Sequence, residues 1–161
     1  MNYYNQPIKH SIFISYVHED YQQVNGFIGM RNFDNDFDFV NKKLDYEIQG
    51  KDESIANQIR ENYIKKSVVT VVMIGKDTHN SEWVEKEVKM TLRQKHGLLA
   101  ILLKDMQPHT SDGKYYLPTT LNDAVNHKYA KFIAWNPDDF KSEIHAAFER
   151  SQNYSDYYEN S

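Results

Sequence analysis

Three glutamates share one short segment, Ser81-Glu-Trp-Val-Glu-Lys-Glu-Val-Lys-Met-Thr-Leu-Arg93, and a helical wheel separates them. At about 100° per residue, Trp83, Val84, Val88, Met90 and Leu92 form a broad apolar arc. Glu87 falls inside that arc, between Trp83 and Thr91. Glu82 and Glu85 fall outside it, and each has a lysine four residues on, Lys86 and Lys89. The outer two therefore read as exposed helix ion pairs. Glu87 has Thr91 at that spacing, so its own helix offers it no cation. A carboxyl beside an indole and away from water has a raised pKa, and in a cleft it can serve as acid, base or stabiliser of positive charge. The bland alternative is a buried glutamate bonded to a neighbouring loop or backbone.

A second group lies near the start of the chain. Ser15 and Tyr16 close an apolar run and His18, Glu19 and Asp20 follow it, where a parallel α/β fold presents its ligand-binding loops. The competing reading of His18-Glu-Asp20 is a solvated helix start with acids near the positive end of the dipole. Other chemistries lack their residues. The seven histidines form no His-Glu-x-x-His pair, and no phosphate-cradling glycine loop follows any apolar run, so no metal is expected. No Gly-x-Ser-x-Gly elbow is present. A phospho-accepting receiver site would need an acid pair and a strand-end aspartate. Glu19, Asp20 and Asp77 come near this, but Asp77 stands two residues past Gly75 and no lysine directly follows the run ending at Trp135.

These residues need elements to hold them. Four apolar runs have strand length: Ser11 to Tyr16, Val68 to Gly75, Leu98 to Leu103 and Lys131 to Trp135. The second is β-branched almost throughout, as in a strand covered on both faces. Phe37 to Val40 is a weaker fifth candidate among Asp and Asn neighbours. Helical patterns alternate with the runs, at Asp20 to Met30, Glu53 to Lys66, Ser81 to Lys95 and Pro137 to Ser151. In the second of these, Ile55, Ile59 and Tyr63 recur every fourth residue and mark the expected apolar face. Gln107 to Asn126, with Pro108, Gly113 and Pro118, reads as a loop with room for one helical turn. The alternation predicts a flavodoxin-like or Rossmann-like three-layer α/β fold, with a central, mostly parallel five-stranded sheet flanked by helices.

Composition bounds the rest. A chain of 161 residues suits one domain, placed at 1–150, followed by a polar, Tyr-rich tail at 151–161 that is expected to fray. Hydrophobic content of 40% with 26% charged residues supports a folded core rather than disorder. Lys and Arg number 19 against 23 Asp and Glu, a net charge of −4, which disfavours a general grip on nucleic acid or anionic lipid. The absence of cysteine removes disulfide and thiolate chemistry. Met1 to His10 are polar and no apolar run approaches the roughly 20 residues that span a bilayer, so a cytoplasmic location and no membrane partner are expected.

Phe13-Ile-Ser-Tyr16, the run Ser67 to Gly75 and the helix opening Ser81-x-Trp-Val-x-x-Glu87 together resemble a TIR domain, and more closely the TIR-like ThsB proteins of bacterial Thoeris anti-phage defence. The likeness spans about Lys9 to Arg150. Two features depart from the usual TIR pattern: the segment Phe33 to Gln49, and Val84 where a cysteine is typical. The resemblance implies that Glu87 is the catalytic glutamate that cleaves the nicotinamide glycosidic bond of NAD, here a substrate and not a cofactor. It also implies a cyclic ADP-ribose-type product that diffuses to a separate effector. Ser15, Tyr16, His18 and Trp83 are then the expected substrate-binding residues, and a homo-oligomer is a further expectation. The alternative from another class is a non-catalytic TIR-like interaction module in which Glu87 is structural.

Overall fold

The computed structural model describes residues 9–30, 33–154 and 157. Five strands run parallel: β1 His10–Ser15, β2 Phe37–Phe39, β3 Val69–Ile74, β4 Gly97–Leu102 and β5 Lys131–Ile133. Their order across the sheet is β2-β1-β3-β4-β5, with Ile12 opposite Val69 and Val69 opposite Gly97. The expected fold class holds, and the sheet is parallel at every pairing. The chain leaves β1 towards one edge and β3 towards the other, so the topological switch falls between them.

Strand alternation builds the layers. Val69, Val71 and Met73 of β3 face one side with Ile12, Ile14, Leu99 and Ile101, and pack on α1 (Tyr21–Ile28) and α7 (Pro137–Asn153) through Phe27, Phe140 and Ile144. Val72 and Ile74 face the other side with Leu98 and Ala100, under Val84, Val88 and Leu92 of α5 (Glu82–Arg93). The remaining elements are α2 (Phe33–Asp36), α3 (Leu44–Ile48), α4 (Glu53–Lys66) and α6 (Thr119–Asn126). A third cluster joins Phe13, Leu44, Ile64 and Met90, and so fixes α3, α4 and α5 around β1.

Three expectations are corrected. Residues 119–126, read as loop, form α6, with Leu121 and Ala124 buried against the α5 side of the sheet. The α6 N-terminus is capped from a distance: Glu85 accepts from the backbone N–H and hydroxyl of Thr120. On α4 the buried stripe is Ala56, Arg60 and Ile64, one residue away from the expected Ile55-Ile59-Tyr63 face. Ile55 is 44% exposed, while Ile59 and Tyr63 are partly buried at the flank. The helix packs on α5 and β1, and the third cluster, not the richest apolar stripe, sets its rotation. Finally, α7 runs to Asn153, two residues past the expected end of that helix at Ser151. Tyr157 stacks on Tyr129 with ring centroids 5.1 Å apart and its hydroxyl donates to Asp123. The other tail residues, 155, 156 and 158–161, lie outside the described residues.

Candidate active site

Local chemistry starts each element at the place the site requires. Ser81 caps α5, its hydroxyl accepting from the backbone N–H of Val84 at 3.2 Å, which sets Glu87 on the second turn. Below it, Thr91 donates to the carbonyl of Glu87 at 2.8 Å and lies 2.7 Å from the hydroxyl of Thr70 on β3. This buried chain ties the helix to the sheet one turn under the carboxylate. At the end of β3, Gly75 lets Asp20 approach closely: a Cβ there would stand 2.3 Å from its Oδ2, and the Asp20 side chain would have to move.

The neighbouring edge of the sheet is extended by a side chain. Beyond β2, Asn41 accepts from the N–H of Ile14 at 2.9 Å and donates to its carbonyl at 2.8 Å. The buried amide thus occupies the place of one more strand residue. It completes the pairing of β1 immediately before Ser15 and Tyr16.

Glu87 is 5% exposed. Its Oε1 accepts from the Ser15 hydroxyl at 2.7 Å, and its Oε2 lies 3.4 Å from Nε of Arg60. The missing cation therefore comes from α4. The Arg60 guanidinium carbon sits 3.7 Å from the centroid of the Trp83 ring, which Lys86 also approaches at 4.5 Å. Lys86 meets Glu53 at 2.7 Å instead of the expected Glu82, whereas Lys89 lies 3.6 Å from Glu85. Burial pushes the Glu87 carboxyl up to about 7, against the Ser15 hydrogen bond and the Arg60 charge, with Asp45 adding to the rise. The Tyr16 hydroxyl donates to Asp45 at 2.8 Å. Burial, with Asp45 beside it, raises the Tyr16 pKa well above its ordinary value.

These side chains line a cleft of about 350 Å³ at the carboxyl end of β1, with Glu87, Arg60, Trp83, Tyr16, His18 and Asp45 around it. The structure thus brings Tyr16, His18, Trp83 and Glu87 to one cavity and places Ser15 under it on Glu87. His18 sits exposed in the 3-10 turn His18–Asp20 and stacks on Tyr21 at 6.1 Å. The sequence reading missed Arg60, Asn41 and Asp45. For Arg60 a signal existed: it is the charged member of the spacing Ala56-x-x-x-Arg60-x-x-x-Ile64, centred on a helix that must bury one face.

A larger cavity of about 600 Å³ opens beyond β3 and β4, beside Asp20, Lys76, His79, Met106 and His109. Within it the His109 imidazole is partnered at both nitrogens. His109 Nδ1 accepts from the N–H of Tyr116, so Nε2 carries the proton and donates to the carbonyl of Lys76. Asp20 lies against Gly75, and its Oδ2, like Nδ1 of His79, is buried without a hydrogen-bond partner. The candidate site is the Glu87 cleft, because there a buried carboxylate, a hydroxyl and a guanidinium converge. Among the described residues no group of three or more acidic or imidazole side chains is placed to hold a metal ion, and no helix is long and apolar enough to cross a membrane.

A doubly wound parallel sheet with a cleft beyond the carboxyl end of β1, floored by a glutamate from the helix after β3, defines a flavodoxin-like domain of the TIR-like class. The chain belongs to the family described as Thoeris protein ThsB, TIR-like domain, whose sequence model matches residues 13–108. That span holds Ser15, Tyr16, His18, Arg60, Trp83 and Glu87. No curated protein matches the chain. Among solved structures it is similar to the CMP N-glycosidase BcmB of Clostridium botulinum, at 10% identity and a TM-score of 0.52, over 89% of this chain and 98% of that one. At that identity the likeness carries the fold.

Proposed function

We propose that the chain is an NAD-consuming enzyme that cleaves the nicotinamide glycosidic bond and releases an ADP-ribosyl signal, of the cyclic ADP-ribose type, for a separate anti-phage effector. The observation that carries this reading is the Glu87 carboxylate, held on Ser15 and Arg60 at a cleft walled by Tyr16 and Trp83. When the bond breaks, its electron pair leaves with the base and neutralises the pyridinium, and positive charge develops at the ribose carbon. A fixed carboxylate at the ribose stabilises that oxocarbenium-like state.

Charge and size support the same substrate. Glu19, Asp45 and Glu87 outnumber Arg60 in the cleft, which favours a cationic pyridinium riboside over an anionic group. Its roughly 350 Å³ lies at the small end of ligand cavities and suits one half of a dinucleotide. The family's place in Thoeris defence and the glycosidase activity named for the fold neighbour support the class of bond. Attack by the same molecule in place of water then depends on its orientation in a closed site.

The test is incubation of wild type and Glu87→Gln with NAD, and separately with CMP, with and without lysate of phage-infected cells, products being followed by chromatography with mass detection. Wild type is expected to release nicotinamide and a product near the mass of ADP-ribose less water, and the variant to release neither. Glu87-dependent release of cytosine from CMP would keep the bond class and change the substrate. If neither compound is cleaved in any condition, or both proteins cleave equally, the enzyme reading fails and an interaction module takes its place.

A further inference from the structure

Arg60 stands where the fold does not need an arginine. Its side chain is 7% exposed, and its Nε approaches Glu87 at 3.4 Å, while Nη1 is buried with no hydrogen-bond partner. A two-pronged fork would be the stronger pairing, and a buried pair satisfied on one side is a poor source of stability. What holds the guanidinium there is the indole of Trp83, 3.7 Å away, a stack that suits a planar, weakly hydrated cation and not an ammonium. The stack fixes the height of the charge beside the carboxylate, while Ser15 fixes the other oxygen.

We propose that Arg60, laid on Trp83, is the positioning residue of this site: it favours the charged form of Glu87 and holds it turned to the cleft, so that a carboxylate is ready when the cationic ribose forms. The inference rests on the glycosidic-bond reading above. Glu87 meets opposed charges from every element around it. Asp45 comes from α3 and Arg60 from α4, with the Ser15 hydroxyl from β1 and Tyr16, His18 and Glu19 from the segment after it. On its own helix Lys86 is drawn off to Glu53. Among the causes acting on Glu87, Arg60 is the opposing cation and Asp45 the added like charge. Without Arg60 the site holds an acidic cluster in which a buried carboxyl takes up a proton and can no longer offset positive charge.

The test reads the proton on Glu87 directly, whether or not the protein turns over NAD. Carbon-13 carboxyl NMR of glutamate-labelled wild type, assigned against Glu87→Gln, gives the titration midpoint. Arg60→Met and Arg60→Gln remove the charge by different side chains, so one remains readable if the other does not fold. Both are expected to raise the midpoint by about 1 pH unit or more, and Arg60→Lys to return it part of the way. With NAD as substrate, the acid limb of the kcat profile is expected to move up by the same interval, with KM changed far less than kcat. A merely structural role would lower the rate at every pH without moving that limb. The proposal is overturned if a folded neutral variant titrates as wild type, or if the lysine variant titrates like the methionine one. Absence of NAD turnover by wild type would count against the proposed reaction, while the NMR midpoint would still decide the role of Arg60.

Discussion

Glu87 is held near neutrality by opposed forces: burial and Asp45 favour its proton, Ser15 and Arg60 favour its charge. The folded carboxyl, at about 7, lies above its ordinary value of 4.5, so the folded protein binds this proton more tightly than the unfolded chain does. Its contribution to stability is therefore complete below pH 4.5 and is lost as pH rises through 7. Glu87→Gln keeps the size and the acceptor but cannot ionise. Denaturant titrations are expected to show the variant gaining on wild type between those pH values, by on the order of 3 kcal/mol at most. A gap that stays constant with pH would mean that Glu87 is ordinary in the folded state. The same wheel that placed Glu87 inside the apolar arc of α5 could not name Ser15 as its donor, because that contact crosses 72 residues of chain.

Elements bring these residues together through a few polar joints. Asn41 is one: its two hydrogen bonds to Ile14 extend the sheet where β2 has ended. Asn41→Ala would leave a buried N–H and carbonyl unpaired, each at a cost of about 1–3 kcal/mol. A lowered urea midpoint is expected, together with faster amide exchange at Ile14, and with weaker turnover because Ser15 and Tyr16 follow directly. Unchanged exchange at Ile14 would show that water replaces the amide. Neither Asn41 nor α3 was legible beforehand, since the segment from Phe33 to Gln49 carries weak periodicity and its polar residues act through partners on β1 and α4. The loop reading of 119–126 failed for a related reason. Helix α6 is two turns long, and its N-terminal cap is a glutamate 35 residues away.

Across the whole molecule the scaffold and the site can be separated. Gly97 opens β4 on the α7 side, where a Cβ would stand 2.7 Å from the carbonyl oxygen of Ala147. Backbone cannot give way there as a flexible side chain can, so Gly97→Ala must push α7 from the sheet, at about 1–3 kcal/mol. The cleft lies at the opposite end of the strands, and the expected outcome is a lower melting temperature with kcat per folded molecule unchanged. A matching fall in kcat would show that α7 packing is transmitted to Glu87.

The sequence by itself determined the alternation of strands and helices, the parallel sheet and the inward face of α5, because strand length, β-branching and helical spacing are properties of adjacent residues. It also singled out Glu87, as a charge that its own helix could not explain. Tertiary structure alone decided the rotation of α4, which turns Arg60 inward, the strand-like amide of Asn41, and the choice between two cavities at the ends of the strands. Those outcomes depend on contacts between residues far apart in the chain, where packing and buried charge outweigh any local preference.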